Sequence, residues 1–472
     1  MIRQIAVKEV LENLLSLRFT LSLLLTVSLF AVCGYVFVNG YREQLQDYWK
    51  RTNENLSALG GQSDALYKVA FHKQGIYRKP QPLAVCAEGD EKSLPNFFAV
   101  NAFTADLPRI KGQANFALPH FSSLDWVLIV SLILSFAAMV FTYDGICGER
   151  EAGTLRMVLA NTIPRHEVLL GKYLGAMVTL MIPLIAGMLV SLIIVALSKD
   201  VSLAPAAWSR ILAIGFLSLL YLSIFVLSGL FVSSRTGHSP NAMAILLLVW
   251  VVFVILLPSL CRIVFEISYK EPSPAELDRR LEEVTKQLWD NHEKFGKNAG
   301  SMSGNLSDPM NNPPARARLQ NAIVDARNDI TDDYHSKLLA QAFGHRDFAR
   351  LSLVVMYQRA AETFAGTGIN RCANLYKQVK GYGLNLKEFV RSEDSKDPQS
   401  LHLIGPEHEM ARSWRAISHN AVSFDAIPKF QERDFTVAES LRLAVWDVGL
   451  LALLNVALFG AAFVSFLRYD VR

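Results

Sequence analysis

Six stretches of this chain run for about twenty residues with almost no charge. That is the length of helix a hydrocarbon core of about 30 Å demands. They cover residues 19–38, 124–143, 173–197, 211–232, 242–261 and 444–467, and the only charges inside them are Asp125 and Asp447, each near one end. The rest of the chain is ordinary and polar, which explains an overall charged fraction of 19% beside 51% hydrophobic residues. Soluble domains carry about 25% charged residues. The fold class that follows is an α-helical integral membrane protein with six transmembrane helices, an N-terminal interfacial helix and two large insertions, the second mainly helical. A net charge of +4 is too small over this length to suggest a nucleic-acid binder, and no basic run is present.

The first run is read as a retained span (TM1, 19–38). It is longer than the roughly 7–15 residues of a signal-peptide core. Phe30-Ala31-Val32-Cys33 resembles a lipoprotein cleavage box only faintly, because Val32 is too bulky for the position before the cysteine. Residues 1–18 place Ile2, Ile5, Ala6, Val10, Leu14 and Leu17 at helical spacing, with Arg3, Lys8, Glu9 and Glu12 mostly off that stripe. This fits an amphipathic helix lying in the interface, or else a frayed basic start to TM1.

Lysine and arginine in short loops set orientation. Arg3, Lys8 and Arg18 precede TM1, and Arg150, Arg156, Arg165 and Lys172 fill the loop between TM2 (124–143) and TM3 (173–197). Arg235 lies between TM4 (211–232) and TM5 (242–261), and Arg468 and Arg472 follow TM6 (444–467). With six spans all of these fall on one side, which is then cytoplasmic together with both termini and the tail 468–472. The opposing loop 198–210 is less basic, with Lys199, Asp200 and Arg210. Insertions 39–123 and 262–441 are expected to face outward, and the membrane is expected to be the bacterial cytoplasmic (inner) membrane.

The loop 144–172 is the most informative stretch. Its charges crowd around a short apolar set, Leu155, Val158 and Leu159, and Pro164 breaks the chain where a second helix begins. Glu151 and Glu167 sit where a helix start favours an acid. Two short amphipathic helices at the membrane surface are expected. A well-capped connector would carry similar charges.

The run Gly148-Glu149-Arg150-Glu151-Ala152-Gly153-Thr154-Leu155, then Leu159-Ala160, Arg165-His166-Glu167 and Leu169-Leu170-Gly171-Lys172-Tyr173-Leu174-Gly175, resembles the type-2 ABC exporter permease family. The branch it is most similar to has two enlarged extracytoplasmic insertions, and the segment from Tyr357 to Thr367 resembles that branch as well. The family usually has proline near position 162 and a capping serine near 164, whereas this chain has Thr162 and Pro164.

The resemblance implies a permease subunit whose helix after TM2 is a coupling helix docked on an ATPase. The expected docking residues are Gly148, Glu149, Arg150, Glu151, Gly153, Thr154, Leu155, Arg156 and Arg165. Charges would set register, Leu155 would supply a packed contact, and the glycines would allow close approach. The implied partners are an ABC ATPase subunit, a second permease copy or a paralogous permease, membrane lipids and an extracytoplasmic partner. The chain contains no Gly-x-x-x-x-Gly-Lys-Ser/Thr phosphate loop, so it is not expected to be an enzyme itself. No cofactor is expected in this chain; ATP and Mg would belong to the ATPase.

The first insertion begins as a continuation of the TM1 helix, with Tyr41, Leu45, Tyr48 and Trp49 on one side, and becomes Pro- and Gly-punctuated after Pro80. Ser122 before Leu124 and Asp125 is a candidate cap for TM2. In the second insertion Ser273-Pro274-Ala275-Glu276 reads as a helix start. Helical patterns follow over 277–288, 315–343 and 347–364, with a loop over 298–314 and an irregular stretch over 392–406. Cys86 and Cys372 are the cysteines clearly in the two insertions, and a disulfide between them is a candidate if that compartment is oxidising. His402, Glu407, His408 and Glu409 lack the spacing of a known metal motif, and no metal site is expected. The spans carry no central charge, which favours drive by an external ATPase and an apolar or amphiphilic cargo. A subunit that only transmits motion to its outward domains fits the same features.

Overall fold

A computed structural model describes residues 2–89, 94–106, 124–160, 164–268 and 273–468. The chain opens with helix α1 (Ile2–Leu14), and a break at Leu15-Ser16 turns it into α2 (Leu17–Gly60), where the Ser16 hydroxyl accepts from the Phe19 amide. At about 1.5 Å per residue, the 44 residues of α2 span roughly 66 Å, twice a hydrocarbon core. TM1 therefore does continue into the first insertion. There α3 (Leu66–Phe71) leads to strands β1 (Gln74–Tyr77), β2 (Phe97–Val100) and β3 (Ala105–Asp106) in a small antiparallel sheet ordered β1-β2-β3, with Gln74 opposite Val100 and Val100 opposite Ala105.

The second apolar run forms α4 (Trp126–Ile129) and α5 (Ser135–Val140), joined through a π-helical turn at Val130–Leu134 into one helix of 15 residues. Such a helix is roughly 22 Å long, shorter than the twenty-residue span its hydropathy suggests. Its start is capped by Asp125, whose carboxylate accepts from the Leu128 amide at 2.8 Å and the Glu88 amide at 2.9 Å. The expected cap Ser122 lies outside the described residues. Asp125 is thus a buried cap and not a charge at an open mouth.

After the short α6 (Cys147–Glu151) and α7 (Thr154–Ala160) come the long apolar helices α8 (Arg165–Leu197) and α9 (Pro205–Ser233). Next, α10 (Ser239–Trp250) passes through a π stretch, Val251–Leu256, into α11 (Leu257–Ser268). The second insertion contributes α12 (Pro274–Asp290), α13 (Pro313–Phe348), α14 (Leu353–Ala365), α15 (Gly368–Asp394) and α16 (His408–Ser413), before α17 (Val437–Leu467) closes the chain. Helix α12 starts where the Ser273-Pro274 signal places it, although the Ser273 side chain makes no capping bond. Among the described residues five helices are long and apolar enough to cross a bilayer: Leu17–Gly60, Arg165–Leu197, Pro205–Ser233, Ser239–Phe265 and Val437–Leu467. The chain is a multi-pass membrane protein.

Small residues decide how these helices approach. A side chain at Gly171 would press on Ile5 (2.7 Å) and one at Gly175 on Glu9 (2.6 Å), so α1 lies directly on the first turns of α8. One layer further along, Gly187 of α8 receives the Phe30 ring of α2. The Gly171–Gly175 spacing is the small-x-x-x-small pattern that lets membrane helices touch backbone to backbone.

Two features of the insertions were not legible in the sequence. First, they share one core. Leu59, Leu66 and Val69 from the first pack with Leu386, Val390, Ala411 and Ile417 from the second, and the Leu66 and Val422 amides bond to Asn420 and Ser63 carbonyls across the join. Second, α14 does not stay with the rest of the second insertion. It is buried along almost its whole length against α9 and α17, with Tyr357 stacked on Tyr221 at 4.6 Å and its hydroxyl 2.8 Å from Ser218 Oγ. The candidate disulfide is not formed. Cys86 and Cys372 are both buried, and no disulfide joins them. Burial holds the Cys86 thiol well above its ordinary pKa, which suppresses the thiolate that oxidation needs.

Candidate functional site

The loop between the second and third apolar runs folds as the two short helices α6 and α7. Gly153 joins them with a left-handed φ of +72°. A side chain there would meet nothing within 4 Å, so this glycine is required by the backbone and not by a close neighbour. Gly148 is the crowded one, with Asp144 Cβ 3.1 Å from where its Cβ would lie.

The ends of most apolar helices meet at this loop. The Ser233 hydroxyl at the end of α9 accepts the Ile146 and Cys147 amides at 3.0 and 3.1 Å, satisfying donors that the start of α6 leaves open. Glu151 does the same for α10, accepting the Ser239 amide at 3.1 Å and the Ser239 hydroxyl at 2.5 Å. These bonds, led by the Ser239 hydroxyl, hold the Glu151 carboxyl below the usual carboxylate range. Arg165 donates to the Phe466 and Leu467 carbonyls at 3.0 and 2.7 Å, neutralising the negative end of α17. Arg18, at the start of α2, pairs with Asp144 at 2.9 Å and donates to the Tyr143 hydroxyl.

Beneath α6 lies a nearly enclosed ion cluster. Lys172 of α8, its side chain 3% exposed, sits 2.5 Å from Glu9 of α1 and 2.9 Å from Glu149 of α6, and Lys8 approaches Glu149 at 3.5 Å. Together with the α1–α8 glycine contacts, this cluster fixes the N-terminal helix, the loop and α8 as one body.

The nine residues expected to form a docking surface therefore divide. Glu149 and Leu155 face inward; Leu155, 1% exposed, belongs to the main core. Arg165 and Glu151 serve as helix-end partners. Arg150, Thr154 and Arg156 lie on the exposed side, and Thr154 Oγ1 also returns a bond to the Glu149 carbonyl at 3.2 Å. Beside Arg156 the structure adds Met157, 72% exposed, which hydropathy could not distinguish from its buried neighbour Leu155. Helical spacing carries the signal, since residues two apart point to different sides of a helix. The residues sketched as a metal group are otherwise engaged. Glu407 binds Arg316 through both oxygens, His402 bonds Asp394 at 2.8 Å, Glu409 accepts from Ser413, and His408 packs on Tyr67 and Phe71.

The sequence profile described as ABC-2 family transporter protein matches residues 3–343. A probable ABC transporter permease protein NosY of Pseudomonas aeruginosa is 30% identical over 148 residues, which are 31% of this chain and 53% of that protein. A probable ABC transporter permease protein NosY of Stutzerimonas stutzeri is 28% identical over 153 residues, 30% of this chain and 52% of its own length. The chain thus spans about half the length of the curated relatives it matches.

Proposed function

The chain belongs to the ABC-2 family of transporter proteins, and on that premise we propose that it is the permease subunit of an ABC transporter. In this reading it couples ATP hydrolysis by a separate ATPase subunit to export or extraction of an amphiphilic substrate. ATP and Mg stay on the ATPase, and a second permease copy or a paralogue completes the transporter. The short helix Trp126–Val140 acts as the sixth span, both termini and α6–α7 lie on the cytoplasmic side of the inner membrane, and both insertions lie outside.

One observation carries this reading. Helix α7 is anchored by Leu155 in the bundle core while Arg156 and Met157 stand out from it. The junction behind it touches the middle of α1 and the ends of α2, α8, α9, α10 and α17. A push on that exposed face has a direct mechanical route to the whole bundle. An unbranched, polarizable methionine flanked by arginine suits a docking contact that must seat and release.

The test is retention of an ATPase by the full chain purified from its own membranes. Met157→Asp is expected to lower the amount of co-purifying ABC ATPase about tenfold or more, the effect of losing a central interface contact. Its elution profile should match wild type, because position 157 is not part of the core. Undiminished ATPase in this variant would remove α7 as the docking element. A wild-type complex without any ABC ATPase would overturn the reading itself.

A non-transporting subunit that transmits motion to its outward domains is the second reading, favoured by the uninterrupted α2 that links the junction to the joint core of the insertions. Reconstituted complex that hydrolyses ATP without moving any labelled amphiphile would support it over transport.

A further inference from the structure

Where α2 passes from its apolar run into the first insertion, it borders a cavity of about 420 Å³. Such a volume falls in the range of about 300–1,000 Å³ that small-molecule sites occupy. The floor is apolar, formed by Val36 and Phe37 of α2 and by Leu124 just before α4. Val36 and Val32 are both exposed, so an apolar strip runs from the floor down the side of α2. Above the floor the lining changes to Tyr41, Tyr48 and Tyr77, and the rim carries Lys79. Among the described residues the Lys79 ammonium makes no ion pair.

The rim is built and not merely exposed. The Lys79 carbonyl accepts from Arg371 at 2.6 Å, and Arg371 is itself locked to Glu432 at 2.8 Å. Gln81 donates to Asp434 at 2.8 Å. The rim segment is therefore fixed to α15 and to the chain entering α17. Two carboxylates also line the cavity, and one of them, Asp47, is held by Arg51 at 2.8 Å. The lining carries Arg51, Arg78 and Lys79 beside Asp47 and Glu88, with Glu432 paired to Arg371 and Asp434 bonded to Gln81 just behind the rim.

Tyrosines at this level also serve as ordinary interfacial anchors. An anchor does not need a cavity of this size, a lysine on a braced rim segment and an apolar floor that continues into an exposed apolar strip. We propose that the cavity binds the anionic headgroup of an amphiphile from the leaflet on the insertion side, with its tail along Val36 and Val32. The site stands independently of the permease reading, which enters only in naming the bound molecule as cargo.

Gly40 supplies the test. It lines the cavity, and a side chain there meets nothing within 4 Å, so Gly40→Leu fills the space while favouring the helix it sits in. The full chain in phosphatidylcholine nanodiscs is exposed to phosphatidylglycerol carrying a photoreactive headgroup, without nucleotide or ATPase, and labelled peptides are mapped. Wild type should be labelled around residues 77–81. Gly40→Leu and Lys79→Gln should each reduce labelling about tenfold, with elution profiles like wild type. A phosphatidylcholine probe with the same photoreactive group should label weakly, and excess inorganic phosphate should compete poorly.

Labelling unchanged in Gly40→Leu, or equal with the two headgroups, overturns the proposal. Full competition by inorganic phosphate would make this a free-anion site and would likewise overturn it. Because no ATPase is present, each of these failures leaves the permease reading standing, and loss of that reading leaves the binding result intact.

Discussion

Replacing Lys172 with alanine is expected to cost this protein about 3–5 kcal/mol, the usual penalty for removing one partner from a buried ion pair. Lys172 is the cation between Glu9 and Glu149, and its side chain is 3% exposed against 15% and 16% for theirs. Without it, two carboxylates remain at one site with only Lys8, half exposed and 3.5 Å away, to offset them. The expected observations are a lower midpoint of thermal unfolding in detergent and a smaller monodisperse fraction in size-exclusion chromatography. Lys172→Met combined with Glu9→Gln and Glu149→Gln should recover most of the loss, since no unpaired charge is then left behind. A Lys172→Ala protein as stable as wild type would mean that the cluster does not hold α1, α6 and α8 together. The same geometry makes Glu149→Lys a poor probe of docking, because it would set a cation against Lys172 and unsettle the fold first.

Asp447→Ala should have the second largest effect, about 3 kcal/mol, at the low end of that range. Asp447 is 2% exposed and accepts from Arg350 at 2.9 Å, with Arg359 at 3.5 Å. These arginines lie at the start and middle of the segment carrying α14, so the carboxylate fastens that helix to α17. The cost is moderated because Asp347 also touches both arginines, at 3.2 and 2.8 Å. Protease sensitivity between α13 and α15 is the readout, together with thermal stability. Arg359→Ala should produce part of the same change, and the double variant less than the sum, because both substitutions break one contact. Full additivity would show that Asp447 and Arg359 act independently and that α14 is held by packing alone.

These two sites mark the limit of the sequence. Asp447 stood out as a charge near the end of an apolar run, yet its partners lie about 90 to 100 residues away in a segment that reads as part of an outward domain. The arginines of that segment look like ordinary surface charge until α14 is seen folded into the bundle. Within the loop 144–172 the sequence did not sort residues by the side they face. Charge density flagged Glu149, Glu151 and Arg165 alike, although the first closes an ion cluster and the other two satisfy helix ends. A carboxylate aimed at a partner protein and one aimed at a neighbouring helix are the same letters.

What the sequence determined by itself are the properties set by neighbours along the chain. Hydropathy over about twenty residues placed the apolar helices, Pro164 ended one helix and opened the next, and the aromatic stripe after Val38 carried α2 beyond the membrane. Each depends on the energy of burying a segment or on local backbone geometry. Only the tertiary structure decided that the two insertions share a core, that α14 packs inside the bundle, that the second apolar run is a 15-residue helix capped by Asp125, and that Met157 is exposed while Leu155 is buried. Those outcomes rest on contacts between residues far apart in sequence, where shape, the pairing of buried charges and small residues at crossings choose among arrangements that hydropathy leaves equal.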